Sequence, residues 1–332
     1  MLEADVVLLA CGSRPRHPEN LATGEPHIHD SENILEIARA PTARLVMGWG
    51  PAGCEFAPIF AALGSRVTIV GGSHLLPALD GEMAGVLAES FNSLGIRVIP
   101  MAMAPSVDRV RDGLEVRLTD GHVLKLEKIL VAAGRRPQIE GMGLAEIGIE
   151  LDAEGWVRVD ERYATSVPGI FTAGDIIGRP SLASTAMEPA RVAICHAFGF
   201  EFKNETDRFW RTISLLDSRG RMGRAYRGAS AQRGSPHMRW AVARLAPTRR
   251  PGSPAFRMAS SSFLFRVPDK VLLGVHIVGE LASELIHIGQ FVIQEAGTID
   301  RFIDATFAVP TRSEAYKYGA YDGLQRLARH GG

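Results

Sequence analysis

The stretch Ala43-Arg-Leu-Val-Met-Gly48-Trp-Gly50-Pro-Ala-Gly53, running on through Leu63-Gly64 to Arg66-Val-Thr-Ile-Val70, decides the fold. Its first five residues read as a buried strand. From Pro51 to Leu63 the apolar residues recur at helical spacing, with proline tolerated in a first helical turn. Gly64 stops that helix, and Arg66–Val70 is a second, β-branched strand. A strand, a Gly-x-Gly-x-x-Gly turn, a helix and a second strand about twenty residues on make up the context of a dinucleotide-binding βαβ unit. The first glycine permits the tight turn, the second lets the backbone approach a pyrophosphate, and the third allows close helix–strand packing. The helix N-terminus adds N–H donors and a positive dipole end. The alternative, a glycine-rich turn in an unrelated α/β domain, is disfavoured by this context. Folds of this kind discriminate NAD from NADP at the end of the second strand, with an acid for the ribose 2′-OH or an arginine for the 2′-phosphate. Here that strand runs into Gly71-Gly-Ser-His74, with neither. Weak discrimination is predicted, with His74 the only nearby ionisable group.

Outward from this unit, a strand within Ala4–Cys11 is broken by Gly12-Ser-Arg-Pro, and Ile129-Leu-Val-Ala-Ala ends at Gly134-Arg-Arg-Pro. A strand followed by Gly-x-Arg-Pro thus occurs twice and brackets the βαβ unit, as if one domain were inserted in another. Gly169-Ile-Phe-Thr-Ala-Gly174-Asp175 is a further strand ending in Gly-Asp, and a helix over 182–198 follows. Strands are predicted at Phe263–Arg266 and Val271–Val278, then an amphipathic helix over 281–295 and a shorter one from Arg312. The 332 residues include 46% apolar side chains, enough for two or three cores. No apolar run reaches a membrane span, and the first residues have no basic-then-apolar leader. Three scattered cysteines, Cys11, Cys54 and Cys195, give no zinc spacing or disulfide framework. A cytoplasmic protein without a metal site is expected.

These stretches together resemble the glutathione reductase and lipoamide dehydrogenase family of FAD-dependent pyridine nucleotide-disulfide oxidoreductases, its soluble transhydrogenase branch above all. The resemblance rests on ACGSRP, GWGPAGCEFAPIFAALGSRVTIV, VAAGRRP, TSVPGIFTAGDIIGRPSLAS, LLGVHIVGELASELIHIGQ and FAVPTRSEAY, in family order over most of 1–205 and 263–332. It implies an α/β fold, a Rossmann-like NAD(P)-binding domain (36–136) inserted in a partial FAD-binding domain (1–35 and 137–205), followed by an α+β dimerisation domain (263–332). It implies FAD and NAD(P) as cofactors, nicotinamide dinucleotides and a second copy of the chain as partners, and flavin-dependent hydride transfer between the two nicotinamide pools. Gly48, Gly50 and Gly53 would hold the nicotinamide nucleotide. Glu55 would lie near the nicotinamide–flavin contact, Gly134 and Arg135 would mark the return from the NAD(P) domain, and Gly174 and Asp175 would touch the FAD ribityl–pyrophosphate region.

Three departures shape the expectation. The family's FAD-binding glycine turn and redox helix precede the ACGSRP strand, and this chain begins almost at that strand, so impaired FAD binding is expected. Disulfide reductases of the family carry a CxxxxC pair and a His-Pro-Thr-x-x-Glu run; here the run is Val309-Pro-Thr-Arg-Ser-Glu314, and valine exchanges no proton. His276 and His287 read as structural residues rather than substitutes. This argues against thiol–disulfide exchange; a lipoamide dehydrogenase-like reductase and an inactive NAD(P)H-binding remnant remain as alternatives. Finally, residues 208–258 hold twelve arginines, no lysine and one acid, Asp217, with no sustained period. Segment 206–262 reads as a frameshifted stretch of a GC-rich gene, ahead of an arginine-rich nucleic-acid arm, so no nucleic-acid partner is expected.

Overall fold

A computed structural model describes residues 3–18, 21, 26–77, 79, 81–104, 106–178, 181–206, 215–216, 222–223, 226–227, 240–244, 260–279 and 281–330. Most of the arginine-rich stretch, and with it the choice between frameshift and basic arm, lies outside the described residues. In chain order the elements are β1 (Val7–Leu9), β2 (Ser13–Pro15), β3 (Ile28–Asp30), β4 (Ala43–Met47), α1 (Pro51–Ala62), β5 (Arg66–Val70), α2 (Gly81–Ser93) and β6 (Arg97–Ile99). Next come β7 (Ser106–Val110), β8 (Gly113–Arg117), β9 (Val123–Leu126), β10 (Lys128–Val131), β11 (Arg135–Pro137), β12 (Ile170–Thr172) and α3 (Ala183–Phe198). The rest are β13 (Leu215–Leu216), β14 (Met222–Gly223), β15 (Tyr226–Arg227), β16 (Trp240–Arg244), β17 (Ser260–Arg266), β18 (Leu272–Val278), α4 (Ala282–Gln294), α5 (Asp300–Asp304) and α6 (Glu314–His330).

The chain forms two units, one of Met1–Arg16 with Ala133–Arg211 and one of His17–Ala132 with Thr212–Gly332. In the second, a parallel sheet has the order β3-β10-β4-β5-β6. Strands buried on both faces read as near-continuous apolar runs, which is why Leu45, Val46, Ile69, Ile129 and Leu130 are fully enclosed. One face packs on α1 and α2 through Val46, Ile69, Phe60, Leu87 and Phe91. The other is covered by the antiparallel sheet β7-β8-β9 through Leu114, Val116 and Leu126 against Leu45 and Val131. From β4 the order steps one way to β5 and the other way to β10, so the gap between the ends of β4 and β10 is a topological switch point, where such sheets bind ligands.

The same unit holds an antiparallel sheet of order β15-β18-β17-β16, its outer strands drawn from the arginine-rich stretch. Helices α4 and α6 pack on β17 and β18. The final helix runs 17 residues against 13 for α4, reversing the expected order of length.

In the first unit β1 and β12 pair in parallel, Val7 opposite Ile170 and Leu9 opposite Thr172. Strands β2 and β11 pair antiparallel. These are the two Gly-x-Arg-Pro repeats: Ser13 lies opposite Pro137, Arg14 opposite Arg136 and Pro15 opposite Arg135. A small core of Leu144, Ile149, Val157 and Ile176 packs with Leu9, Ile139 and Ile170.

Candidate functional site

Strand β4 delivers the chain into the glycine turn, and the three glycines there do three different things. Gly48 has φ +129°, and a Cβ on it would lie 2.2 Å from the Ala132 carbonyl oxygen at the end of β10. Its N–H donates to the Val70 carbonyl at 3.0 Å, tying the turn to the end of β5. Gly53 lies so close beneath the turn that a Cβ would come within 2.0 Å of the Gly48 carbonyl oxygen. Gly50 differs: nothing lies within 4 Å of the place where its side chain would be. Two glycines are therefore required by the protein's own packing, and the middle one keeps a face of backbone clear for a ligand. Helix α1 starts there, with Gly50 at the N-cap, Pro51 in the first turn and neither a capping side chain nor an acid in that turn. Its first N–H groups and dipole end are left for an anion. The fit to a dinucleotide pyrophosphate is good. Glu55, half-buried, follows on α1 beyond the third glycine.

The other site residues meet in the first unit. Asp175 follows Gly174 (φ +81°) just past β12. One oxygen of its carboxylate, Oδ2, accepts a hydrogen bond from the Ser13 hydroxyl at 2.7 Å. That hydroxyl in turn accepts the Arg135 Nε–H at 2.6 Å, and Arg135 Nη2 donates to the Ser13 carbonyl at 2.6 Å. The guanidinium lies 3.8 Å from the carboxylate. Ser13 thus bridges cation and anion, and the paired repeats β2 and β11 hold it in place. The geometry fixes the carboxylate and offsets its charge, leaving Oδ1 for the hydroxyls of a polyol such as a ribityl chain. This part of the site fits a flavin; the described residues contain one glycine-rich dinucleotide turn, the one around Gly50.

Gly48, Gly50, Gly53 and Glu55 are therefore together in one unit, and Gly134, Arg135, Gly174 and Asp175 in the other. Sequence reasoning missed Ser13, although the repeated Gly-x-Arg-Pro carries it. Gly134, at φ +100° with open space about its α-carbon, accepts the Arg16 N–H at 2.9 Å and closes the pairing of the repeats. Cys11, Cys54 and Cys195 form no disulfide with one another, and partial burial raises the pKa of Cys11. His276 is buried on β18, and His287, exposed on α4, hydrogen-bonds Gln290 at 2.9 Å. Among the described residues no helix is long and apolar enough to cross a membrane.

Comparison with known proteins places these features in a wider group. Residues 1–190 match the family model for pyridine nucleotide-disulphide oxidoreductases, and residues 246–320 match the dimerisation domain of the same family. A soluble pyridine nucleotide transhydrogenase from Pseudomonas putida (strain W619) is 34% identical over 98% of this chain and 71% of its own length. A protein of the same name from Marinomonas sp. (strain MWYL1) is 32% identical over the same shares. Among solved structures, LpdA from Mycobacterium tuberculosis superposes with a TM-score of 0.82 at 29% identity, covering 98% of this chain and 70% of that one. The HOCl-induced flavoprotein disulfide reductase RclA from Escherichia coli, 22% identical, shares the fold with a TM-score of 0.83, covering 94% of this chain and 72% of its own.

Proposed function

The chain belongs to the pyridine nucleotide-disulphide oxidoreductases, enzymes that use FAD and NAD(P)H, and from that premise we propose that it transfers hydride between NADH/NAD⁺ and NADPH/NADP⁺. The observation that carries this reading is the open face at Gly50, beside the helix start of α1, with no acid at the end of β5 to exclude a 2′-phosphate. Bound FAD would supply the hydride-relay chemistry between the two nicotinamides. The chain's own residues bind and orient. Gly48, Gly50, Gly53 and the first N–H groups of α1 seat the pyrophosphate of the nicotinamide nucleotide. Glu55, farther along the same helix, orients the nicotinamide end. Asp175 accepts hydrogen bonds from ribityl hydroxyls while Ser13 and Arg135 keep it in place, and Gly134 and Arg135 mark the passage between domains. The NAD(P) domain is assigned to 36–136, the FAD-domain segments to 1–35 and 137–205, and the dimerisation domain to 263–332, through which two copies associate.

No thiol–disulfide step is assigned, since Val309 stands where proton exchange would be needed and the three cysteines are separate. A second reading has the chain bind NAD(P)H while taking FAD only loosely; that the described residues hold one glycine-rich dinucleotide turn, around Gly50, favours it. Purification and spectroscopy separate the two. A yellow protein whose flavin band bleaches with NADPH and returns on adding NAD⁺ supports transhydrogenation. A colourless protein that binds NADH, and stays inactive with added FAD, supports the second reading and rejects the first.

A further inference from the structure

At the amino end of the parallel sheet, opposite the glycine turn, three basic side chains share one face. Lys128 opens β10 beside Arg44 of β4, and two residues along β10 Leu130 lies beside His29 of β3. Neighbours in register share a face, as do alternate residues along a strand, so Arg44, Lys128 and His29 stand on the same side of the sheet. Arg44 is enclosed, whereas Lys128 and His29 reach the rim at the edge strand β3 and are half-buried. The Lys128 Nζ donates to the Pro26 carbonyl at 2.5 Å and lies 3.1 Å from His29 Nε2. Ammonium and imidazolium are both donors without an acceptor, so that contact is a hydrogen bond only when one of the pair is neutral. Burial, with the charges of Arg44 and Arg39, holds the Lys128 amine below the ordinary lysine pKa against an opposing pull from Glu127. Burial and the Lys128 charge lower His29 as well, with hydrogen bonds at Pro26 and Asn33 opposing.

The chain's other lysines are kept differently. Lys203 and Lys270 face carboxylates at 2.9 and 3.1 Å, and Lys125, its side chain 81% exposed, lies 3.9 Å from Glu115. Lys128 has an imidazole in that place, and Glu127, the acid beside it in sequence, is paired with Arg39 at 2.6 Å. We propose that Lys128 is an acylation site, that His29 is the base that takes its proton, and that the reagent is an anionic acyl donor, an acyl phosphate. The free amine attacks the acyl carbonyl. A C–N bond forms as the C–O bond to phosphate breaks, and the phosphate leaves with the bonding pair. The proton shed by the nitrogen passes to His29 Nε2 and from there to the departing phosphate, leaving a neutral amide. Arg39 and Arg44 outnumber Glu127 and so draw an anionic donor, and the amide removes a cation that stood beside another in a poorly solvated place.

Incubating the full chain with acetyl phosphate, and following each of its five lysines by mass spectrometry, tests the proposal. Lys128 should be acetylated about tenfold faster than Lys125, a factor below the usual reach of general-base help because the pair is open to water. Exposure alone predicts the reverse order. H29Q keeps a hydrogen-bond acceptor but cannot hold a proton; in it Lys128 should fall to the rate of Lys125. The rate at Lys125 itself should not change, which serves as the control for folding. If Lys128 reacts no faster than Lys125 in the wild-type chain, the site is overturned without recourse to any variant. If H29Q keeps the lead of Lys128, His29 is not the base and the proposal fails.

Discussion

Arg44 carries a full charge into the middle of the parallel sheet. It is 1% exposed, its guanidinium lies 3.4 Å above the centre of the Phe60 ring, and none of its three nitrogens has a hydrogen-bond partner. Burial pushes its pKa down to about 10, against a smaller opposing pull from Glu127, so the group is still charged at neutral pH. The stacking on Phe60 returns roughly 2 kcal/mol, less than the desolvation it opposes. R44M, close in length and uncharged, should therefore stabilise the fold by about 1–4 kcal/mol, read as a higher urea midpoint with an unchanged slope. Asp30 behaves in the opposite way. Burial raises the pKa of its carboxyl, but the N–H groups of Asn33 and Glu32 at 3.0 and 2.8 Å and the His17 ring at 2.9 Å outweigh that and hold it below the usual range. Its contribution is fully present above the ordinary aspartate pKa of about 3.9 and is lost as the pH falls through the lower folded value. D30N should lower stability at pH 7 by roughly 1–3 kcal/mol and flatten the acid limb of the stability curve, measured by urea unfolding at successive pH values. Neither behaviour is legible in the sequence. Arg44 reads there as one polar interruption of a strand, and the partners of Asp30 are set by a local turn that composition does not reveal. At this scale the glycine turn was legible because its constraints are local, whereas Lys128 meets His29 only when β3 and β10 lie side by side.

Among the elements, α4 and α6 show how helices are locked to a sheet. Tyr316 of α6 is enclosed by Phe263 at 5.2 Å and Phe302 at 4.8 Å between ring centres. Its hydroxyl donates to the Leu285 carbonyl at 2.7 Å and accepts the Gly289 N–H at 3.1 Å, and burial pushes its pKa well upward, the Gly289 contact opposing in part. Both helices meet the sheet at glycine: a Cβ on Gly289 would come within 2.6 Å of Val275 Cγ2, and one on Gly319 within 2.4 Å of Phe263 Cε2. Y316F should cost about 1–3 kcal/mol by leaving buried polar groups unmet. G319A should also destabilise, by roughly 1–3 kcal/mol, even though helix propensity alone favours alanine by about 1 kcal/mol. A thermal midpoint above that of the wild type for G319A would show the helix–sheet contact to be looser than described. The same glycine explains why the sequence understated α6. Its sheet-facing side uses glycine and tyrosine where larger apolar residues are sought, so its 3.6-residue period is clear but its mean hydropathy is low, and its length is understated. The parallel sheet, by contrast, was legible in its central strands, because strands buried on both sides must be apolar almost throughout, whereas the edge strand β3, Ile28-His-Asp30 in a polar stretch, was not.

For the whole molecule, association follows from what the helices leave uncovered. Phe291 of α4 and Tyr318 of α6, 67% and 53% exposed, lie in the region matching a dimerisation domain, and Tyr321, 47% exposed, follows directly after it. Exposed aromatics of this size mark interaction surfaces. F291E and Y321E should raise the dimer dissociation constant at least about tenfold, followed by light scattering across a dilution series, with nucleotide binding as the control for folding. That one part of the chain is inserted in another was legible from the two bracketing Gly-x-Arg-Pro repeats, while the points of crossing, after Arg16 and before Ala133, were not, since they depend on where the chain leaves one unit and re-enters it. That crossing has a consequence of its own. Strands β2 and β11 are an antiparallel pair whose connection, instead of a two-residue turn, is the whole stretch His17–Ala132 with its parallel sheet, and the Arg16 N–H donates to the Gly134 carbonyl at its mouth at 2.9 Å. In topological terms the insertion is a hairpin loop grown to domain size, with its stem already closed. Its two ends therefore stay a hydrogen bond's length apart whatever lies between them, so the stem can accept a different cargo, shorter or longer, without being re-registered.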